Sequence, residues 1–332
     1  MELKREVLAS DILDPRNDFQ PTPTEVEVRW DPLLGYSARL VRGGGRLLPP
    51  SDFDLEAFGR QTAESCFFCP SRVESVTPRF PPELVAEGRI RRGEALLFPN
   101  IQAYSRYSSV SIYSPALHYL PLDRVTGPIV RDNLAAQVDF TARATRYDPS
   151  APWVSINANH MLPSGSSLFH PHMQASVDPY PTTMQEQLAR VPADRVDDYL
   201  ATERRLGERY LGSLGGVEWL AGFAPLGFNE LRAFVPGLRS PEQLDEERVA
   251  ALAEGIARAL NLYAELGHQS CNLAISGAPA AGHVLSVRLV CRSNLQPLYR
   301  SDVAYFERLH WQAMVDTTPE ELAERAGDRF RV

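Results

Sequence analysis

The sequence predicts an α+β fold in which two similar halves join their strands in one largely antiparallel sheet flanked by helices. Three observations carry this expectation. An order of elements (strand, loop, strand, helix, strand, strand) occurs in residues 95–177 and again in residues 218–290. The strand-like runs are short and bounded by Pro, Gly and Asn, whereas the helical runs carry apolar residues at three- and four-residue spacing. A chain of 332 residues suffices for two ordinary domains or one large duplicated one, and buries a sizeable core in either case. We divide it into an N-terminal half, residues 1–180, and a C-terminal half, residues 181–332.

The first copy opens with a strand at 95–98 and a loop carrying Asn100. A second strand at 108–113 ends in Ser114-Pro115. A helix follows at 129–146, with Leu134, Val138 and Phe140 on its apolar side, then strands at 153–156 and 168–177. The second copy runs from Glu218-Trp219-Leu220-Ala221-Gly222-Phe223 through a strand at 230–235. A helix at 242–266 with Leu244, Val249, Leu252, Ile256 and Leu260 on one face leads to strands at 271–275 and 283–290. A charged helical segment, 184–212, separates the copies.

The copies differ where chemistry is expected. Gly165-Ser166-Ser167-Leu168-Phe169-His170-Pro171-His172-Met173-Gln174 reads as a strand, since Pro171 disfavours a helix and the run is short. A strand has a period of two, so His170, His172 and Gln174 share a face beside a Gly-Ser-Ser loop. Such a face suits chemistry at phosphorus. The second copy has His283-Val284-Leu285-Ser286-Val287 in the matching place, so the first half reads as active and the second as structural.

Composition removes several classes. The net charge of −8 argues against a general nucleic-acid surface. Residues 1–6 lack the apolar stretch of a signal peptide and no run of about 18 apolar residues exists, so the expected compartment is the cytoplasm, with no membrane span. Lys4 is the only lysine among 34 Lys and Arg. Schiff-base and phosphate-loop chemistry built on an interior lysine is therefore unexpected, and phosphate would be held by Arg, His, Gln, Ser or backbone N–H groups. Of the four cysteines, Cys66 and Cys69 form a Cys-x-x-Cys pair, a metal or redox motif. The Pro-rich run after it is not the helix start that lowers a redox thiol's pKa. Cys271 and Cys291 lie in apolar runs and read as core residues.

Five short motifs, in order, resemble those of galactose-1-phosphate uridylyltransferases, duplicated members of the histidine-triad superfamily. They are Arg29-Trp30-Asp31-Pro32-Leu33-Leu34-Gly35, Cys66-x-x-Cys69, Phe98-Pro99-Asn100, Ser114-Pro115-x-x-His118 and Gly165-x-Ser167-x-x-His170-Pro171-His172-x-Gln174. Nucleotide-sugar phosphorylases such as ADP-glucose phosphorylase share this core and are equally resembled. The resemblance covers about residues 28–331. It implies two histidine-triad-like halves: the first holds the metal site and catalytic motif, and the second is degenerate and carries an acceptor and dimer segment.

A neutral imidazole with one ring N–H held and the other nitrogen free can attack the α-phosphorus of a nucleotide sugar. His172 is the candidate nucleophile, and the resemblance implies that a backbone carbonyl of the motif takes its ring N–H. Gln174, Ser167 and the backbone of Gly165 and Ser166 are candidate donors to the phosphoryl oxygens. Asn100 and Asn159 are candidates for ribose or phosphate, and Arg29 and Arg39 for the diphosphate. Cys66, Cys69, His118 and His170 form a Cys₂His₂ set suited to one structural Zn²⁺ per chain. His160, His268 and His310 match nothing.

Departures from the family shape the expectations further. Ser276 stands where a second metal site would place a histidine, and 287–289 lacks His-x-His, so no second metal is expected. In the segment Arg300-Ser301-Asp302-Val303-Ala304-Tyr305-Phe306-Glu307 the family's lysine is missing and Glu307 is the polar position kept. The resemblance implies a homodimer in which this segment reaches the partner's site, with Glu307 near the sugar and galactose 1-phosphate a poor acceptor. The expected activity is ping-pong transfer of UMP or AMP from a UDP- or ADP-sugar to phosphate or a sugar phosphate. The alternative from another class is a non-catalytic, zinc-stabilised nucleotide-binding scaffold.

Overall fold

The structure is a computed structural model that describes residues 1–41, 48–297 and 301–331. Its strands form two sheets. The smaller has β1 (Arg5–Asp14), β2 (Gln20–Trp30), β3 (Ser37–Val41) and β14 (Ala313–Val315), in that spatial order. The larger contains β4 (Ile90–Arg92), β5 (Ala95–Pro99), β6 (Tyr107–Ile112), β7 (Trp153–His160), β8 (His172–Asp178), β9 (Tyr210–Leu214), β10 (Val217–Ala221), β11 (Phe228–Val235), β12 (Ser270–Ser276) and β13 (Leu285–Arg292). The helices are α1 (Leu55–Ala63), α2 (Val73–Val76), α3 (Gly127–Tyr147), α4 (Thr183–Ala189), α5 (Ala193–Leu206), α6 (Glu246–Glu265), α7 (Tyr305–His310) and α8 (Pro319–Ala326).

The large sheet runs β4-β5-β6-β8-β7-β12-β13-β11-β10-β9. Read outward from the β7–β12 seam, the two sides present their strands in the same order, which is the duplication expected from the sequence. At the seam Asn272 pairs with Asn159, Ala274 with Asn157 and Ser276 with Ser155, all antiparallel. Residue 180, our division point, lies in the turn between β8 and α4.

One face of this sheet is covered by α3 and α6. Leu97, Met173, Ala175, Ile156, Leu273, Ile275, Val287 and Leu289 meet Leu134, Phe140, Leu252, Ile256 and Leu260 in a core that runs through both halves. Each fully buried side chain of this kind contributes about 1.5–3 kcal/mol. Gly255 of α6 has a specific reason: a Cβ there would lie 2.3 Å from the Trp219 indole, so only glycine lets helix and strand meet. The helix caps follow local rules, with Pro in the first turn of α3 and Asp245 capping α6 through the Arg248 N–H.

Among the described residues, the opposite face carries apolar clusters at its two ends. At one end Leu96, Phe98, Val110 and Ile112 pack under Cys66, Phe68, Cys69 and Val73. At the other, Leu220 and Phe234 pack under Val196, Tyr199 and Leu200. The middle strands leave a polar strip between these clusters, with Asn157, Asn159, Gln174, Asn272 and Arg292 partly open to solvent. The candidate site lies on this strip.

Three features differ from the sequence expectation. The His-rich strand begins at His172, not at 168: Pro171 has no N–H to give the ladder, and residues 162–170 form a tight turn and bends instead. The segment 184–212 divides into α4 and α5 and then enters strand β9. The N-terminal 30 residues, for which the sequence suggested no strands, form the β1–β2 hairpin, paired from Arg5↔Arg29 to Asp14↔Gln20.

Candidate active site and metal centre

His172 opens β8 and lies opposite Ile112 of β6. Its Nδ1 is 2.9 Å from the carbonyl oxygen of His170. A carbonyl only accepts, so Nδ1 carries the proton and Nε2 keeps its lone pair. Burial lowers the pKa of His172, which keeps the ring neutral. The Phe68 ring stands edge-on to His172, His170 and Phe98, with centroids 5.6, 5.8 and 5.3 Å away. Phe68, the residue between the two cysteines that the sequence reading passed over, therefore walls in both histidines.

The Gly-Ser-Ser loop follows β7 through a turn. Gly165 has φ of 98°, a conformation that glycine reaches without strain. Ser166 is buried and donates its Oγ–H to Leu168 O at 2.6 Å. Ser167 is exposed, and its hydroxyl and the Gln174 amide make no hydrogen bond among the described residues. Asn159 accepts from Asn272 Nδ2 at 2.6 Å and holds its own Nδ2 3.5 Å from Gly165 O. Continuing the Asn157↔Gln174 register by two residues sets Asn159 beside His172. Gln174, Asn159, Gly165 and His172 are thus gathered on one strip, with Ser167 exposed in the loop that follows Gly165. Asn100 follows β5 on the same face, with its backbone N–H on Ser108 O and its Oδ1 closing a turn onto Gln102 N. Ser108 is four residues from Ile112 along β6, and β5 and β8 flank β6 on opposite sides, so Asn100 lies about 13 Å along the strands and two strands across from His172, about 16 Å in all.

The metal-competent group is compact. The ligand atoms of Cys66, Cys69, His118 and His170 all lie within 4.8 Å of one another. Cys66 Sγ is 3.7 Å and Cys69 Sγ 3.8 Å from His170 Nδ1, and Cys69 Sγ is 3.3 Å from His118 Nδ1. A tetrahedral centre with ordinary metal–sulfur and metal–nitrogen bonds places S and N about 3.6 Å apart. The outer partners select the same donor atoms. His170 Nε2–H donates to Ser114 O at 2.9 Å, which leaves Nδ1 for the cluster. Thr62 Oγ donates to Phe58 O at 3.0 Å and so accepts from His118 Nε2–H at 2.9 Å, again leaving Nδ1. Burial and the neighbouring Cys66 push the Cys69 thiol up to about 12. Burial lowers His170 to about 4. Two adjacent thiols, which give up their protons when a cation binds, and two neutral imidazoles form a donor set suited to one. Ser114 and Thr62 had no assigned part in the sequence; only the fold brings them to the histidines.

Other expected contacts sit elsewhere. Arg29 is 1% exposed, its guanidinium bonded to Glu27 at 3.0 Å and to both oxygens of Glu320 at 2.8 and 3.0 Å. This is an interior ion pair, closed to a diphosphate. Arg39 donates to Gln312 Oε1 at 2.7 Å and covers the Phe306 ring, tying β3 to the C-terminal segment. Both Glu307 oxygens accept backbone N–H groups, of Ala304 at 3.0 Å and Met314 at 3.1 Å, so its carboxylate caps α7 and anchors β14. Arg300 lies outside the described residues. His160 is half-buried beside the site, its pKa lowered to about 4 by desolvation and by His172.

No protein-family model matches the chain. An uncharacterized protein of Archaeoglobus fulgidus is 30% identical over 337 residues, spanning 98% of this chain and 97% of that one. Among solved structures, ADP-glucose phosphorylase from Arabidopsis thaliana, with ADP-glucose bound, matches 92% of this chain and 99% of its own, at 17% identity and a TM-score of 0.65. A GalT-like protein from Arabidopsis thaliana matches 92% and 98%, at 17% identity and a TM-score of 0.64. A uridylyltransferase matches 92% and 98%, at 20% identity and a TM-score of 0.58. At these identities the structural likeness is one of fold. The chain belongs to one family with the Archaeoglobus fulgidus protein, and its fold is that of the ADP-glucose phosphorylase and the uridylyltransferase.

Proposed function

We propose that this chain is a nucleotidyltransferase that takes UMP or AMP from a nucleotide sugar through a covalent intermediate on His172. The observation that carries the reading is the 2.9 Å bond from His172 Nδ1–H to the His170 carbonyl, which leaves Nε2 as a lone-pair donor over the polar strip. In the first step Nε2 attacks the α-phosphorus. The P–N bond forms, and the P–O bond to the sugar phosphate breaks with its electron pair, releasing a sugar 1-phosphate. In the second step an acceptor phosphate oxygen attacks the same phosphorus, the P–N bond breaks, and the neutral imidazole returns. Negative charge grows on the non-bridging oxygens in both steps. In this reading the uncommitted Gln174 amide and Ser167 hydroxyl donate to them, and each such donor is worth about 10²–10³ in rate.

Zn²⁺ fits the Cys₂His₂ set of Cys66, Cys69, His118 and His170, one per chain, and with four protein ligands its part is structural. The acceptor reading favours inorganic phosphate, hence phosphorolysis. The chain has no lysine in the acceptor segment, and a protein of the same fold is an ADP-glucose phosphorylase. A homodimer with the C-terminal segment near the partner's site belongs to the same proposal. Incubation with α-³²P-labelled ADP-glucose and UDP-glucose, quenching and peptide mapping tests it. Label on the peptide containing His172, released by phosphate, is expected. Absence of acid-labile label from the folded wild-type protein with either sugar nucleotide overturns the reading.

A further inference from the structure

The side chains between the C-terminal segment and the Gly165 loop form hydrogen bonds that all run in one direction. Arg292 leaves β13 on the open face. Asp302 grips it at 2.7 Å from Nε and 2.8 Å from Nη2, and Asp302 also accepts the Ser293 N–H at 2.9 Å. Arg292 Nη1 donates to Asn272 Oδ1 at 2.7 Å. A guanidinium has donors and no acceptor, so Asn272 must turn its oxygen toward Arg292 and its Nδ2 away. That Nδ2 donates to Asn159 Oδ1 at 2.6 Å and to Ser164 O at 2.9 Å. With its oxygen taken, Asn159 is left with Nδ2 toward Gly165, on the strip it shares with His172.

We propose that Arg292 and Asn272 are positioning residues that fix the polarity of Asn159, so that its Nδ2 is presented as a hydrogen-bond donor to an anionic oxygen of the bound nucleotide. The proposal rests on the nucleotide-transfer reading of the site. It gives the degenerate half a part in recognition. The amide orientation in the N-terminal half is set two strands away by a cation of the C-terminal half, itself held by Asp302 of the following segment. A neutral or acceptor group in place of Arg292 would leave both asparagines able to flip, and Asn159 would then present an oxygen, which repels phosphate.

Asn272→Asp tests this with little change of shape. The carboxylate keeps its ion pair with Arg292 but offers no donor, so Asn159 must turn its Nδ2 toward residue 272. With α-labelled ADP-glucose and UDP-glucose, adduct formation on His172 is expected to slow by about 10- to 100-fold, less than deleting a direct donor outright. Metal content is expected to stay at the wild-type value, and melting temperature to fall by only about 1–4 °C, since Ser164 O loses its Asn272 donor. Asn159→Ala in the Asn272→Asp background is expected to add little, because the two act as one unit. Arg292→Lys, which keeps a donor, is expected to recover most of the rate that Arg292→Met loses. A second readout needs no turnover. In the wild type the Asn159 side-chain amide protons are expected to show a nuclear Overhauser contact to Gly165, and Asn272→Asp is expected to abolish it. If the wild type forms adduct and Asn272→Asp matches its rate, the positioning role is wrong and the nucleotide reading stands. If the wild type forms none, the Overhauser contact alone decides whether Asn272 orients Asn159, and its persistence in the variant overturns the proposal.

Discussion

Asp31→Asn is expected to be among the most destabilising single changes in the first 40 residues, for reasons that lie in the geometry of a buried pair. Asp31 and Arg232 are both closed to solvent and 2.7 Å apart. Arg232 Nε and Nη2 have no partner among the described residues, so Asp31 is its one hydrogen-bonded acceptor, supplemented by the Phe234 ring at 5.1 Å. Asp31 Oδ1 also takes the Leu33 and Leu34 N–H groups at 3.1 and 2.8 Å, bonds that an asparagine oxygen keeps. What the substitution removes is therefore the countercharge and the Oδ2 acceptor of Arg232 Nη1 and Tyr36 OH. Breaking a buried pair from one side costs about 3–5 kcal/mol, because the other charge stays buried and uncompensated. With about 2.1 cal/mol/K of unfolding entropy per residue, a chain of 332 residues loses about 4–7 °C in Tm. The pH dependence follows. Burial by itself would raise the Asp31 pKa, but the charges of Arg232 and Arg288 and the two N–H bonds outweigh it and hold the carboxyl below its ordinary value. A depressed folded-state pKa stabilises above the unfolded value of about 3.9 and ceases to do so as pH falls through the folded value. Asp31→Asn should thus lose its stability increment at pH 7 and show a shallower acid transition below about pH 4. Calorimetric and circular-dichroism melts from pH 2.5 to 7 read both. Replacing the pair together, Asp31→Leu with Arg232→Met, should cost less than Asp31→Asn alone. A variant melting within about 1 °C of wild type at pH 7 would refute the reasoning.

Three further outcomes are expected. His172→Ala should retain the wild-type circular-dichroism spectrum and metal content yet form no labelled adduct from ADP-glucose or UDP-glucose; measurable adduct on the variant would move the nucleophile elsewhere. Cys66→Ser and His118→Asn should each lower bound zinc, measured by plasma mass spectrometry against about one equivalent per chain in the wild type. They should lower Tm together with it, since metal affinity is part of folding free energy; unchanged Tm after complete zinc removal would count against a structural centre. Glu307→Ala should cost about 1 kcal/mol by uncapping α7 and freeing the Met314 N–H. A loss of sugar discrimination at unchanged stability would instead restore a substrate role for Glu307.

What was legible in the sequence was what local pattern controls. The helices at 127–147 and 246–265 announce themselves by apolar spacing, and the strands on either side by short bounded runs. The duplication showed as an order of such runs. The metal group was legible because each ligand carries a distinctive chemical type and the motif order is specific. Arg29 was misleading for a physical reason: a guanidinium looks alike in sequence whether it meets a diphosphate or Glu27 and Glu320, and the second partner is 291 residues away. Glu307 was similar, since a capping carboxylate and a sugar-binding one differ only in where the backbone N–H groups fall. Asn272 and Arg292 carried no signal at all. Asn272 sits in an ordinary strand pattern and Arg292 is one arginine among many, and their part emerges only when β12 is laid against β7.

The metal-competent group and the proposed nucleophile are joined through a single residue. His170 offers Nδ1 to the cysteine sulfurs, fixes its ring by giving Nε2–H to Ser114 O, and uses its own carbonyl to take the proton of His172 Nδ1. A metal that holds the His170 ring therefore also holds the peptide plane that decides which nitrogen of His172 is free. Pro171 between them has a fixed φ and no N–H, so the carbonyl has little freedom to turn away once the ring is held. Phe68, on the loop between the two cysteine ligands, closes the remaining side of both imidazoles. A four-coordinate centre with no open position can in this way control reactivity it does not touch. The Cys-x-x-Cys loop and the His-Pro-His run, about 100 residues apart in the chain, then form one device. In the proposed mechanism a cation held there would fix the backbone at His170, and that backbone carbonyl fixes the tautomer that leaves His172 Nε2 free to attack.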